Sequence, residues 1–311
     1  MNIRKASDYD IPAIIQLLKV SLGESLIPKS EALWNWKHVQ NPFGKSPVLL
    51  AEDNGEILGV RAFLMWEFFQ NGKIFKSCRA VDTATHPEHQ GKGIFKKLTM
   101  DLIEEIKKNG MVAVFNTPNS KSTPGYLKMG WEKWGNLPLK LNFHVGKKRK
   151  GIQMESDWTA ISDLIEEIES APQTELSLGT RIVKGYLNWR YKDSPLFPYH
   201  YLSDGENYLL IYRIKEGKMG REFRICDFYC LTELSPSQKK ELNKSLAVKI
   251  RESGSRFSSF SGLKYSQQKN LDMGILPVMK IGPMVTMRQV QEDFYPLSQD
   301  WSWSLGDLEV F

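Results

Sequence analysis

Cysteine is scarce in this chain, with Cys78, Cys226 and Cys230 the only three among 311 residues. An odd count in apolar and aromatic surroundings, with no Cys-x-x-Cys pair, argues against a disulfide framework, a zinc cluster or a dithiol redox centre. It fits buried thiols in a reducing compartment. Long hydrophobic runs are missing too. No stretch approaches the ~18 apolar residues of a membrane span, and the N-terminus lacks the apolar core of a secretion signal, so the expected location is the cytoplasm. His38, His86, His89, His144 and His200 are scattered, which yields no metal set, and there is no Gly-x-Ser-x-Gly elbow. Hydrolytic triads and metalloenzymes are set aside on these grounds. A strong charge of one sign is also absent: 42 Lys+Arg against 36 Asp+Glu leave +6, with both signs interspersed. That pattern describes a solvated mixed surface rather than a nucleic-acid face or a membrane-binding one.

What is present is enough chain for about two domains, each able to bury its own core. The second half repeats landmarks of the first in the same order. Asp10 opening an amphipathic helix returns as Asp157, and Asn35-Trp36-Lys37 with Pro42 returns as Asn188-Trp189-Arg190 with Pro195. Phe75 to Cys78 returns as Phe223 to Cys226, and Met129-Gly130 as Met273-Gly274. Both Asp residues are read as helix N-caps. The basic run between Gly146 and Gly151 is read as a solvated connector. The expected domains are therefore 1–146 and 152–311. Strands are expected at 48–52, 57–67 and 73–85, followed by helix, strand, helix and strand, an α/β sheet with helices on its faces. Residues 301–311 read as a final strand.

The segment from Asp82 to Trp131 carries the chemistry. His86-Pro87 ends a strand, and Gln90-Gly91-Lys92-Gly93 opens a helix to about Lys108 whose Ile94, Leu98, Leu102 and Ile106 share one face. Glycines at such a turn let the backbone approach a ligand, and the free first amides of the helix suit a pyrophosphate. A short apolar strand to Phe115 follows, then Asn116 to Asn119, then a short helix with Pro124 in its opening turn and Gly130 at its end.

Gln90, Gly93, Asn119, Tyr126, Gly130 and Trp131 give residues 1 to about 145 a resemblance to the GNAT superfamily of acyl-CoA-dependent N-acyltransferases, with Phe95 standing where that family has a small residue. The resemblance implies a fold of two tandem GNAT-like domains, each a mixed, mostly antiparallel twisted sheet flanked by helices. It implies acetyl-CoA as cosubstrate, held by Gln90, Gly91, Lys92, Gly93 and Ile94 at the pyrophosphate. Thr83, Ala84, Thr85 and Asn119 would meet the pantetheine arm, and Tyr126 would face the thioester sulfur. The implied reaction is direct attack of a neutral primary amine on the thioester. An ordinary tyrosine hydroxyl near pKa 10 against a thiol near ~8.5 makes complete proton donation uphill by about 2 kcal/mol, so a hydrogen bond that strengthens on the departing sulfur suffices.

The general base is less defined. Strict alternation puts Arg79, Val81, Thr83 and Thr85 on one face of their strand and Ala80, Asp82 and Ala84 on the other, leaving Asp82 as the one acid nearby, either catalytic, by steering the amine or accepting its proton through water, or bonded to backbone. The second half has Glu233 to Lys240 in place of the glycine turn, and no Asn and Tyr at the places of Asn119 and Tyr126. It is read as completing the acceptor cleft without binding CoA. Trp34, Trp36, Trp66, Trp131 and Trp134 are read mainly as core. The expected acceptor is a small-molecule amine or a protein amine, without metal or nucleic acid. The competing readings are an aminoacyl-tRNA-dependent transferase with paired GNAT-like domains and a non-catalytic acyl-CoA-binding regulatory protein.

Overall fold

Residues 56–70 and 73–85 carry too many apolar side chains for strands with one wet face. Both form long, deeply buried strands in the computed structural model, which describes residues 1–24, 27–144, 156–174 and 176–309. The contacts divide the chain into two compact units. The first is Met1–Trp134 with Met284–Asp300, and the second is Gly135–Pro283 with the segment that follows Asp300. The expected boundary at 146 and the connector Gly146 to Gly151 lie outside the described residues.

In chain order the first unit contains β1 (Asn2–Lys5), α1 (Ile11–Leu22), α2 (Glu31–His38), β2 (Val48–Asp53), β3 (Glu56–Gln70), β4 (Lys73–Thr85), α3 (Ile94–Lys108), β5 (Ala113–Asn116) and α4 (Thr123–Lys128). Its strands follow the order β1-β2-β3-β4-β5, antiparallel except for the β4–β5 pair, which α3 connects in parallel. Helical spacing decides which side chains go inward. Ile14, Leu17 and Leu18 of α1 pack with Leu50, Val60 and Ala62 on one face of the sheet. Leu98, Leu102 and Ile106 of α3 pack with Phe63, Cys78 and Val114 on the other. Asp10 stands at the expected N-cap of α1, but its side chain does not bond the helix amides. It closes the preceding turn through the Ser7 amide and is held by Arg4 at 2.8 Å.

The second unit takes up most of β6 (Glu132–Phe143) and continues with α5 (Ser162–Ser170), β7 (Gly179–Thr180), β8 (His200–Ser203), β9 (Tyr208–Lys215), β10 (Glu222–Cys230), α6 (Pro236–Ser253), β11 (Phe257–Ser261) and α7 (Gly262–Gln267). Then come β12 (Met279–Gln289) and α8 (Leu305–Leu308). β8, β9 and β10 are antiparallel, β10 and β11 run parallel across α6, and β11 pairs with residues 139–143 of β6. Cys78 and Cys226 are buried within β4 and β10, Trp36 and Trp189 sit in short helical turns, and Gly130 and Gly274 both have positive φ.

Residues 301–309 are not the expected strand. Trp301 makes one bridge to Leu178 and stacks on Trp303 at 4.4 Å, after which Ser304 and Asp307 close a capping box on α8. Ser, Gly and Asp in this stretch favour a cap over strand pairing. The segment is tied between β10 and β11: α8 packs on β10, the Ser261 hydroxyl donates to the Trp303 carbonyl, and Arg213 and Arg224 clamp Glu309. Burial would raise the Glu309 carboxyl, but Arg224 and Arg213 override it and hold it down to about 2. No helix of the described residues is long and apolar enough to cross a membrane.

The main departure from the expected domains is β12. Its residues Thr286–Gln289 lie antiparallel to β5 and cover that edge of the first unit's sheet. Val290 joins the core under α3, Phe294 meets Phe75 at 5.2 Å, and the Gln291 side chain donates to Lys107 O at 2.9 Å. Sequence periodicity cannot show this, because a strand carries no mark of which sheet it will join. A fragment of residues 1–146 loses Val285, Met287, Val290 and Phe294, all buried. At about 1.5–3 kcal/mol each, their loss rivals the total stability of an ordinary domain. The fragment is expected to be unfolded or aggregated, read by circular dichroism and size-exclusion chromatography. A cooperative melt within a few degrees of the full chain would contradict this account.

Candidate active site

The site begins with a misfit in β4. Its pairing with β3 runs regularly from Lys73 to Val81, but Thr83 then faces Arg61 while Val81 faces Ala62, so Asp82 is an extra residue. Asp82 has φ of 39°, in the left-handed region. An inserted residue of this kind turns the following side chains to the opposite face. Accordingly Cys78 and Ala80 belong to the core under α3 while Ala84 belongs to the core under α1. The strict alternation expected for 79–85 therefore fails at Asp82.

Asp82 is held by two neighbours on α2. Its Oδ2 meets the Lys37 ammonium and lies 2.9 Å from His38 Nε2, and all three side chains are almost wholly buried. Burial alone would push the Asp82 carboxyl up, but Lys37 and His38 hold it well below the usual carboxylate range. Burial pulls Lys37 and His38 down, with Asp82 opposing it in each. Two buried nitrogen groups thus converge on one carboxylate oxygen. This changes the expectation for Asp82: its oxygen that would take a proton from an amine is already shared by two donors. Beside it, Ile15, Leu18, Leu33 and Trp34 border a small cleft between α1 and α2 that reaches Lys37 and Asp82.

Pairing between β4 and β5 is brief, from Ser77–Arg79 against Ala113–Phe115, while β4 continues to Thr85. Thr83, Ala84 and Thr85 thus lie on a stretch of β4 beyond its last contact with β5. The Thr85 carbonyl accepts from Ser21 Oγ at 3.1 Å and from Gln90 Nε2 at 3.3 Å, which ties the strand end to α1 and to the turn. Gly91 and Gly93 have φ of 77° and 82°, and a Cβ on either would meet no atom within 4 Å, so the space above the turn is open. Gly93 is the N-cap of α3 and no side chain caps the helix. Its first amides point free of protein acceptors, as an anion site requires. Gly59 on β3 lets α3 come close, since a Cβ there would strike Ile94 at 2.7 Å. Lys92 is exposed above this turn, and the Ile94 side chain is buried beneath it.

The remaining expected residues are less uniform. Asn119 is exposed, and its Oδ1 accepts from the Lys121 and Ser122 amides at 3.0 and 2.9 Å, so its carboxamide oxygen shapes the turn before α4. Tyr126 on α4 is buried, edge-on to Phe95 at 5.7 Å and Trp131 at 5.1 Å. Phe95, the departure from the family pattern, therefore packs toward Tyr126, and a Cβ on Gly125 would press on it at 3.2 Å. Trp34, Trp36, Trp66 and Trp131 are buried as expected, and Trp134 is half-buried. His86 and His89, expected to be scattered, come together with Glu88 so that their ligand atoms lie within 4.8 Å. There His86 Nδ1 accepts from the Glu88 amide and His89 Nδ1 faces Lys92, both at 3.4 Å.

Three side chains at the site escaped the sequence reading: Lys37, His38 and Arg61. Arg61 is fully buried on β3 and its Nη1 donates to the Tyr126 hydroxyl at 2.9 Å. The available signal was a basic residue inside an otherwise apolar strand, which a chain keeps only for a partner or a task.

Residues 2–134 match the family model described as an acetyltransferase (GNAT) domain. Over 152 residues, 44% of this chain, the sequence is 28% identical to an L-methionine sulfoximine/L-methionine sulfone acetyltransferase of Salmonella typhimurium, covering 84% of that protein. The same share at the same identity matches the L-amino acid N-acyltransferase MnaT of Escherichia coli, covering 83% of it. In fold, 93% of the chain resembles 72% of a conserved protein from Enterococcus faecalis described as a probable N-acyltransferase, with a TM-score of 0.66 at 14% identity.

The role of the buried ion pair can be tested directly. Asp82→Asn leaves Lys37 without its counter-charge, and urea denaturation at pH 7 is expected to show a loss of ~3–5 kcal/mol. Because the folded-state carboxyl is depressed, the wild type's advantage is full above the unfolded pKa of about 4 and shrinks as pH falls below it. An Asp82→Asn protein as stable as wild type at pH 7 would remove the anchor.

Proposed function

Residues 2–134 form a GNAT acetyltransferase domain, and from that premise we propose that the chain moves an acetyl group from acetyl-CoA to the primary amine of a small acceptor resembling a free amino acid. One observation carries the reading. The uncapped start of α3 behind two left-handed glycines adjoins a length of β4 that β5 does not pair. Diphosphate oxygens suit the free amides of α3, and the amide-bearing pantetheine arm suits an unpaired strand edge. The turn fits the group chemically, because the glycines leave open space where side chains would intrude.

In this reading Gln90 to Ile94 receive the diphosphate, and Thr83 to Thr85 align the arm. The neutral amine attacks the thioester carbonyl, a C–N bond forms, and a β4 amide receives the charge that builds on oxygen. The C–S bond then breaks, and Tyr126 meets the departing thiolate. Asp82 serves as the anchor of the bulge, and the amine's proton leaves to solvent. The amino-acid acceptor is favoured by the activities of the two bacterial relatives. The cleft beside Trp34 lies on the α1–α2 side of the bulge, where such an acceptor would approach. The second unit is proposed to be a degenerate copy that binds no CoA. Its α6 begins with a closed capping box, the Ser235 hydroxyl accepting from the Gln238 amide and the Gln238 side chain from the Ser235 amide.

Thiol release from acetyl-CoA across a panel of L-amino acids and simple amines tests the proposal. Turnover with at least one amino acid is expected, and an acetyl-CoA-dependent rise in melting temperature should accompany it. Absence of both ends the reading. Tyr126→Phe is expected to lower kcat by ~10²-fold with the acetyl-CoA KM nearly unchanged. Unchanged kcat would take Tyr126 out of the mechanism. Gly93→Val should raise the acetyl-CoA KM by about 10-fold or more, because a branched side chain is strained at that φ and intrudes on the amides.

A further inference from the structure

Arg61 is a buried cation for which the described residues supply no counter-ion. Its relative exposure is 0%, and it forms no salt bridge among the described residues. Its Nε and Nη2 have no hydrogen-bond partner among the described residues. Its surroundings are aromatic: the guanidinium carbon lies 4.7 Å from the Phe63 ring centre, 5.7 Å from Phe95 and 5.4 Å from Tyr126. Ring faces offset part of the cost of burying a charge, but an aliphatic side chain at this place would pack without that cost. Its one side-chain hydrogen bond among the described residues is specific. Nη1 donates to the Tyr126 hydroxyl oxygen at 2.9 Å.

That bond decides what the hydroxyl can do. A guanidinium has no lone pair to offer, so Tyr126 can only accept from it, and the phenolic O–H is left to point elsewhere. We propose that Arg61 is a positioning residue for acyl transfer, orienting the Tyr126 O–H toward the departing CoA sulfur and stabilising the negative charge that reaches the phenolic oxygen. The inference rests on the acetyl-CoA reading above. In the step it assists, the thioester C–S bond breaks and its electron pair goes to sulfur. The Tyr126 proton then passes to that sulfur, giving CoA thiol and a phenolate beside the Arg61 charge. Solvent returns a proton to the phenolate, and the proton lost by the acceptor nitrogen balances it. The hydroxyl is neutral before the transfer and after solvent reprotonates it, so Arg61 is the cation placed at that oxygen for the intervening phenolate charge. Phe63 and Phe95 keep the guanidinium dry, which makes its charge count for more than it would in water.

A double-mutant cycle tests this. Arg61→Met, Tyr126→Phe and the combination are assayed for kcat, acetyl-CoA KM and acetyl-CoA binding by calorimetry, with circular dichroism and melting temperature as controls on folding. Arg61→Met is expected to lower kcat by ~10–10²-fold while KM and the binding constant stay within about 3-fold. Combined with Tyr126→Phe it should cost no more than about 2-fold further, since the two act as one unit. Arg61→Lys should recover part of the loss in kcat, because it keeps the charge while giving up the planar fork. Should Arg61→Met not fold, Arg61→Lys and Arg61→Gln take its place in the cycle. Equal losses with and without Tyr126→Phe would mean that Arg61 supports the fold alone, and would overturn the inference while leaving acetyl transfer standing. So would an Arg61→Met enzyme with wild-type kcat. If Tyr126→Phe itself turns over normally, or if no acetyl-CoA-dependent turnover exists, the inference falls with the reading beneath it.

Discussion

The Asp82 carboxylate lies between the Lys37 ammonium and the His38 ring, all withdrawn from water, and this contact fixes where β4 bulges. Upstream of the bulge, β4 gives Cys78 and Ala80 to the core beneath α3; beyond it, Ala84 turns to the core beneath α1. A bulge also tightens local twist, and a strand that twists away cannot keep parallel pairing with its neighbour. The pairing of β4 with β5 accordingly ends at Arg79 and Phe115. The free strand edge, the glycine turn that follows and the open start of α3 all lie downstream of that one inserted residue. A buried ion pair is a poor source of net stability, since desolvation offsets most of its attraction. Its use here is to hold this register, in which Asp82 meets Lys37 and His38.

The two units make the same kind of parallel crossover and end it differently. α3 starts at a glycine with no side-chain cap, whereas α6 starts at Ser235 and bonds its own first turn. Beyond the short β10–β11 pairing, residues 301–309 bring Trp303, Asp307 and Glu309 into the second unit, and Glu309 answers two arginines there. Arg61 in the first unit has no such carboxylate among the described residues. At these two places the second unit closes its helix start and its buried arginines from within, and the first leaves donors available. Exposed or unsatisfied donors are the costlier choice for stability and the necessary one for binding an anion.

Much of the first unit could be read from the residues themselves. Ile94, Leu98, Leu102 and Ile106 at helical spacing announced α3, and Gly91 and Gly93 before it announced a left-handed turn; both glycines do have positive φ. Tyr126 was legible from spacing, but its bond to Arg61 was not, since the two are 65 positions apart in sequence. Alternation failed at Asp82 because period-two reasoning assumes an unbroken strand, and nothing in Val81-Asp82-Thr83 marks an inserted residue. The last residues looked like a strand because Trp is a strand former, yet Ser304 and Asp307 form a capping box. Local signals were reliable where neighbours in sequence decide conformation, and failed where distant segments do.

The placement of β12 has a temporal meaning. β5 is complete at Asn116, but the strand that covers its edge ends at Gln289, about 170 residues later. At a synthesis rate of roughly 5–20 residues per second, the nascent first unit waits on the order of ten to thirty seconds with β5 as an open edge. An open edge invites pairing with the wrong chain. The chain's first half therefore matures last, after the second half has emerged, and a ribosome-bound intermediate offers a strand vacancy that only its own later segment is built to fill.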